Sequence, residues 1–277
     1  MPHIGKIFKK TRKSCSMTQI LLGPAGSSGL GNEQGLLKCK ELGLEALEVE
    51  FTYGVKMKNE EAKRIGELAK NLDISLSVHA PYYINLNSEE KAKIHASKKR
   101  ILDSCERGHH LGAKFIVFHA AFYGKKSKEE TYKIVKEAIL DLQKTIEKNR
   151  WNVILCPETT GKAKQFGDLD ELIKLSNETG CGVCIDFSHL KARYNGKIDY
   201  DEVCKKIKSI KNKTAHFSGI EYTEAGERRH IITKESEIKE LLSYLKKYDI
   251  SIRIINESPD PFGDCVKSRK IREAMFK

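Results

Sequence analysis

Ser75-Leu76-Ser77-Val78-His79 is a short apolar run that ends on a metal-binding side chain, and the same design recurs along the chain. Phe115-Ile116-Val117-Phe118 runs into His119, Val153-Ile154-Leu155-Cys156-Pro157 into Glu158, and Gly182-Val183-Cys184-Ile185 into Asp186. Lys213-Thr214-Ala215 reaches His216, and Ile252-Arg253-Ile254-Ile255-Asn256 reaches Glu257, while His189 and His230 lie in the segments just after Asp186 and His216. Brief runs rich in β-branched and aromatic residues read as buried strands. One His at a strand end carries no information. Eight ligand candidates placed alike need a common cause.

Working outward, short apolar runs alternate with longer charged segments of helical period from residue 18 onward, the pattern of repeated βα units and a parallel sheet. Strands are expected at 19–23, 46–51, 74–79, 114–119, 152–158, 182–186, 213–217 and 250–257. Helices are expected near 32–43, 58–72, 88–112, 128–149, 168–179, 199–209, 234–248 and 263–275. Asn87-Ser88-Glu89-Glu90 and Ser127-Lys128-Glu129-Glu130 look like helix starts, and Gly43, Gly112 and Gly180 like helix stops. With no compositional break between units, the expected fold is α/β, a single (β/α)8 TIM barrel over 18–277. In such a barrel every strand points the same way, so all the strand ends ring one mouth. An open doubly wound sheet would instead scatter the first and last strands to opposite edges.

The length of 277 residues suits one barrel with a short extension. Residues 1–17 are basic and lack both an unbroken apolar stretch and a small-residue cleavage site, so they read as an N-terminal extension and not as a secretory signal. No uncharged apolar run reaches the length of a membrane span. The eight cysteines sit mostly inside apolar or helical patterns, which does not resemble a disulfide framework and points to a reducing, cytoplasmic setting. The pair Cys181-Gly182-Val183-Cys184 enters a strand without a second ligand pair nearby, and core packing is its reading. Lys and Arg total 50 against 38 Asp and Glu, a net charge of +12 that favours a polyanionic partner such as nucleic acid. Gly23-Pro-Ala-Gly26-Ser-Ser-Gly29-Leu-Gly31 lacks the Gly-Lys-Ser/Thr ending of a phosphate loop and reads as a rim loop.

Imidazole suits zinc, copper, iron or nickel, whereas a carboxylate can bridge two ions. The candidates His79, His119, Glu158, Asp186, His189, His216, His230 and Glu257 exceed what one tetrahedral ion uses. Two or three ions sharing a carboxylate would use them all, in the arrangement that clamps a phosphoryl group during displacement. His3, His95 and the pair His109-His110 lie away from strand ends and read as structural or exposed.

At His79-Ala80-Pro81-Tyr82-Tyr83-Ile84-Asn85-Leu86 the chain resembles the endonuclease IV family of abasic-site nucleases. His119, Glu158 within Pro-Glu-Thr, Asp186 with His189 three residues on, His216, Arg229-His230 and Glu257 before Ser-Pro-Asp-Pro follow in the family's order. The resemblance implies a trinuclear zinc site in which His79, His119 and Glu158 hold one ion. Glu158 would bridge to a second ion on Asp186, His216 and Glu257, and His189 and His230 would hold a third. The family's further aspartate falls at Arg228, which calls the third site into question unless Glu227 takes its place through a shifted loop. Phe217-Ser218-Gly219-Ile220-Glu221-Tyr222 also departs from the family's stretch after that histidine.

The activity implied is DNA repair: hydrolysis of the phosphodiester 5′ to an abasic site in double-stranded DNA, leaving a 3′-hydroxyl, with Glu158 orienting the attacking water. A missing base makes the nucleotide cheaper to flip out, and aromatic wedges can fill the gap. Tyr82 and Tyr83 stand where this family inserts into DNA. Lys56, Lys126 and Arg193, with Lys58, Lys125 and Lys191, fall in or beside expected rim loops and could meet phosphates. Two alternatives remain open: a sugar or sugar-phosphate isomerase or epimerase of the xylose-isomerase-like barrels using a divalent metal, and a damage-binding protein without turnover.

Overall fold

The computed structural model describes residues 18–276. The basic extension expected over residues 1–17 lies outside the described residues. Twelve strands are described: β1 (Ile20–Pro24), β2 (Ala46–Glu50), β3 (Ser75–His79), β4 (Phe115–Phe118), β5 (Ala121–Phe122), β6 (Ile154–Pro157), β7 (Gln165–Phe166), β8 (Val183–Asp186), β9 (Lys213–His216), β10 (Gly219–Thr223), β11 (Gly226–Ile231) and β12 (Ile252–Asn256). Eight of them match the expected strands and form two parallel groups, β1-β12-β9-β8 and β2-β3-β4-β6. Single bridges, Ala25 to Glu48 and Glu158 to Cys184, join the groups into a ring. The first seam depends on Gly23, because a Cβ there would lie 2.0 Å from the Ala46 carbonyl oxygen. The fold is therefore α/β, a single (β/α)8 barrel.

The helices are α1 (Asn32–Glu41), α2 (Asn59–Leu72), α3 (Lys91–Leu111), α4 (Lys128–Lys148), α5 (Leu169–Thr179), α6 (Phe187–Arg193), α7 (Tyr200–Ile207), α8 (Glu235–Lys247) and α9 (Pro261–Met275). Capping boxes open α4, between Ser127 and Glu130, and α5, between Asp168 and Glu171. Left-handed Gly112 and Gly180 close α3 and α5. The start expected around Asn87 moves: α3 begins at Lys91, and the Asn87 amide donates instead to the Phe122 and Tyr123 carbonyls. Each helix turns an apolar stripe to the sheet, as α2 does with Ala62, Ile65 and Ala69. Each large aliphatic side chain fully buried there, such as Ile101 or Ile139, contributes roughly 1.5–3 kcal/mol.

Three elements at the barrel mouth were not expected from the sequence. α6 follows β8 directly, capped by the Asp186 carboxylate, which accepts from the His189 backbone N–H at 2.7 Å. β5 and β7 pair antiparallel over the rim, and β10 and β11 form a hairpin between β9 and α8. All seven cysteines among the described residues are free and buried. No helix described is long and apolar enough to cross a membrane.

Candidate metal centre

Parallel register brings the strand ends level: Asp186 stands opposite His216 across β8 and β9, and His79 opposite Val117 across β3 and β4. Glu158, fully buried at the second seam, is the hub. Its Oε2 lies 3.2 Å from His79 Nε2 and 3.0 Å from His119 Nε2, while its Oε1 lies 3.1 Å from His216 Nδ1 and 3.3 Å from His189 Nδ1. Glu257 approaches His216 Nδ1 at 3.3 Å and His230 Nε2 at 3.6 Å. Four groups among the described residues have ligand atoms within 4.8 Å of one another: His79, His119 and Glu158; Glu158, Asp186, His216 and Glu257; Asp186, His189, His230 and Glu257; and Glu158, Cys184 and His216. All eight expected residues thus converge on one mouth. His189 and His230 do not stand apart as a pair; they share Asp186 and Glu257 with the second group.

The hydrogen bonds orient the rings. His79 Nδ1 meets the Ala80 carbonyl at 2.8 Å and His189 Nδ1 the Thr159 carbonyl at 3.0 Å. A carbonyl only accepts, so both rings donate through Nδ1 and present Nε2. Ser218 Oγ lies 2.6 Å from His230 Nδ1 and 3.1 Å from the Gly219 carbonyl. Whichever group donates in that contact, His230 Nδ1 is taken and its Nε2 is turned toward Glu257. His216 is reversed, with Nδ1 toward Glu158 and Nε2 2.8 Å from Glu48 Oε1.

Charge and burial oppose each other here. Burial alone would depress His79, yet the Glu158 hydrogen bond and the carboxylates of Glu50, Glu158 and Glu48 push it up to about 10. His189 and His216 resist the same desolvation and end well above their ordinary values, His189 through Asp186 and Glu158, and His216 through Cys184, Glu48, Glu257 and Glu158. Burial would raise Glu158, but His216 and His119 hold it well below the usual carboxylate range. Asp186 Oδ2 is sealed from solvent with no hydrogen-bond partner. A buried carboxylate oxygen without a hydrogen bond, 3.3 Å from His189 Nδ1 among crowded imidazoles, fits a divalent cation, which would satisfy the oxygen and displace protons from the rings.

The departure at Arg228 has a structural resolution. Between β10 and β11, Ile220 pairs with His230, Glu221 with Arg229, and then Tyr222 with Glu227, so Arg228 is absorbed in a β-bulge. Ile220 and Tyr222 share a face, and their partners His230 and Glu227 therefore do too. Glu227 Oε2 consequently comes within 3.4 Å of His189 Nε2, while Arg228 is exposed. The loop after β6 presses on it: the Glu227 N–H donates to the Gly161 carbonyl at 3.1 Å, and a Cβ on Gly161 would lie 2.5 Å from Glu227 Cβ.

A cavity of about 320 Å³ opens above these residues, lined also by Ala25, Glu50, Thr52 and Tyr82. A second, of about 750 Å³, adjoins it past Tyr82 and His119 and includes Tyr83 and Phe122. Sequence reasoning missed Glu48 and Glu50, whose alternation with Leu47 and Val49 turns both into the barrel. Burial, against the pull of His79, raises the Glu50 carboxyl to about 8. Tyr82 and Tyr83 project from the rim, 58% and 67% exposed, and Lys56 is exposed. Lys126 is half-buried, with Nζ 3.5 Å from the Asn87 carbonyl. Arg193 overturns the expectation of a phosphate contact. Its side chain is 3% exposed, it pairs with Asp168 at 3.4 Å, and its guanidinium donates to the Thr160, Lys162 and Gln165 carbonyls. A short helix after β8 carries it inward to tie the loop after β6.

Residues 36–275 match the xylose isomerase-like TIM barrel family, and the chain belongs to it. An uncharacterized protein of Methanocaldococcus jannaschii is 43% identical over 232 residues, covering 79% of this chain and 84% of its own. A probable endonuclease 4 of Mesomycoplasma hyopneumoniae is 32% identical over 140 residues, about half of each chain at 48%. Among solved structures, endonuclease IV from Thermus thermophilus superposes with a TM-score of 0.68 at 19% identity, over 93% of this chain and 98% of that one. A D-tagatose 3-epimerase-like protein superposes with a TM-score of 0.70 at 17% identity, over 92% and 96%. The fold is thus shared with a nuclease and with an epimerase-like protein.

Proposed function

We propose that the chain is a zinc-dependent DNA repair endonuclease that hydrolyses the phosphodiester 5′ to abasic sites and leaves a 3′-hydroxyl. The observation that carries this reading is the Glu158 carboxylate set among His79, His119, His189 and His216, with Asp186 and Glu257 closing the same mouth. Five imidazoles favour zinc over harder ions, and the donor set has room for two or three. Zinc there would supply positive charge to the phosphate and acidify water to make a nucleophile near neutral pH.

The protein's own side chains do the positioning. Glu158 lies between the first two ligand groups, where it orients the attacking water. Asp186, Glu227 and Glu257, with His189 and His230, would hold the cation that meets the departing 3′-oxygen. Tyr82 and Tyr83 stand clear of the rim, ready to occupy the space left by a missing base. The net charge of +12 adds a sequence-independent attraction to the backbone. The resemblance to endonuclease 4 relatives supports the same substrate.

One observation favours a second reading, a sugar or sugar-phosphate epimerase: the cavity of about 750 Å³ beside the centre has room for a monosaccharide. Both are tested on one preparation. Zinc-loaded protein should nick a duplex carrying a tetrahydrofuran abasic site, and Glu158→Ala should lose cleavage by several orders of magnitude while still folding. Absence of nicking, or unchanged turnover in the variant, refutes the nuclease reading; interconversion of ketohexoses without nicking would establish the second.

A further inference from the structure

Below the ligand ring, β2 turns Glu48 into the barrel at 0% exposure, two residues short of the strand's end. Ser77 on the adjacent β3 donates its hydroxyl to Glu48 Oε2 at 2.6 Å, which fixes the carboxylate. The other oxygen, Oε1, lies 2.8 Å from His216 Nε2. This contact has the distance of a hydrogen bond but not its alignment, and neither atom has a hydrogen-bond partner elsewhere, so the two face each other as a close charge pair. Arg253, buried in the same layer, donates to Thr214 Oγ1 and the Leu76 carbonyl and makes no direct bond to Glu48. A buried carboxylate is costly, and an aliphatic side chain would fill the space more cheaply.

The geometry points to Glu48 as the positioning residue that reverses His216. Carbonyls or a hydroxyl hold His79, His189 and His230 so that Nε2 faces the mouth; Glu48, from below the ligand ring, faces His216 at Nε2 and leaves Nδ1 to bind. A charged partner of this kind also raises the donor strength of the ligating nitrogen. The inference rests on the metal-binding half of the function proposed above and is independent of the DNA substrate.

The test is cobalt(II) titration of the whole protein, followed by visible absorption and chelator competition, with thermal melting of the metal-free protein as the folding control. Glu48→Leu should weaken the ion on His216 about 10–100-fold and alter its absorption band, leaving the ion on His79 and His119 in place. Glu48→Gln, which keeps an acceptor without the charge, should fall between and show a changed pH profile for binding. If the leucine variant does not fold, the glutamine variant decides. Wild-type affinity and spectrum in a folded variant overturn the inference. A wild-type protein that binds no cobalt overturns the metal centre itself, whereas cobalt binding without DNA nicking removes only the nuclease reading.

Discussion

Loading the centre with zinc should expel protons, and the number can be worked from the structure. In the metal-free protein His79 is pushed up to about 10, and His189 and His216 lie well above the ordinary histidine range. His79 is therefore protonated at pH 7, the neighbouring carboxylates favour the charged form of His189 and His216 as well, and a metal accepts only the unprotonated ring. Full loading should release between about one and three protons, so the logarithm of the overall binding constant should climb by about one to three per pH unit near neutrality. Each proton released is worth about 1.4 kcal/mol of binding free energy per pH unit. Folding of the metal-free protein has the opposite sign for these groups. A raised histidine stabilises fully below its unfolded value, and the contribution disappears as pH rises through the folded one, near 10 for His79. Zinc should therefore raise the melting temperature most at alkaline pH. The assay is isothermal titration calorimetry at pH 7 in buffers of different ionisation enthalpy, where the dependence of measured heat on buffer gives the proton count. Release of less than one proton would refute the account of imidazolium rings held by the surrounding carboxylates.

Glu227→Ala should lower zinc content by about one ion per chain, because Glu227 faces His189 from the hairpin. Deleting Arg228 should preserve that ion: without the bulge, ordinary alternation places Glu227 two residues ahead of His230 on the same face. Metal analysis of both variants decides whether the bulge does what its register implies. Arg193→Met should cost about 2–4 kcal/mol in denaturant melts by leaving three carbonyls without a donor, yet leave the DNA affinity of the folded protein unchanged.

The barrel and the ring of ligands were legible because closure forces an easily read correlation: an apolar run, then a ligand, at each turn of the chain. The hairpin was not, since Gly219–Ile231 is polar, buries only Gly219, Ile220 and Gly226, and has its pairing set by a local bulge, which periodicity does not register. Neither was α6, a seven-residue helix whose cap, Asp186, also ends a strand and joins the ligand ring. Glu48 escaped because it lies inside its strand and not at the end, although two acids alternating with Leu47 and Val49 in an otherwise buried strand were visible. Arg193 was misjudged because a charged residue in an expected rim segment gives no hint of how many carbonyls converge on it.

The ring's two seams have a further consequence. One half of the barrel carries Asp186, His216 and Glu257, and the other carries His79 and His119, with Glu158 at the second seam. Few backbone bonds hold the halves together there, so ions shared through Glu158 would act as rivets across the join. Stripping them should loosen the seam before the helices feel it, and amide exchange at Thr159, whose N–H bonds the Cys184 carbonyl across that join, should quicken first.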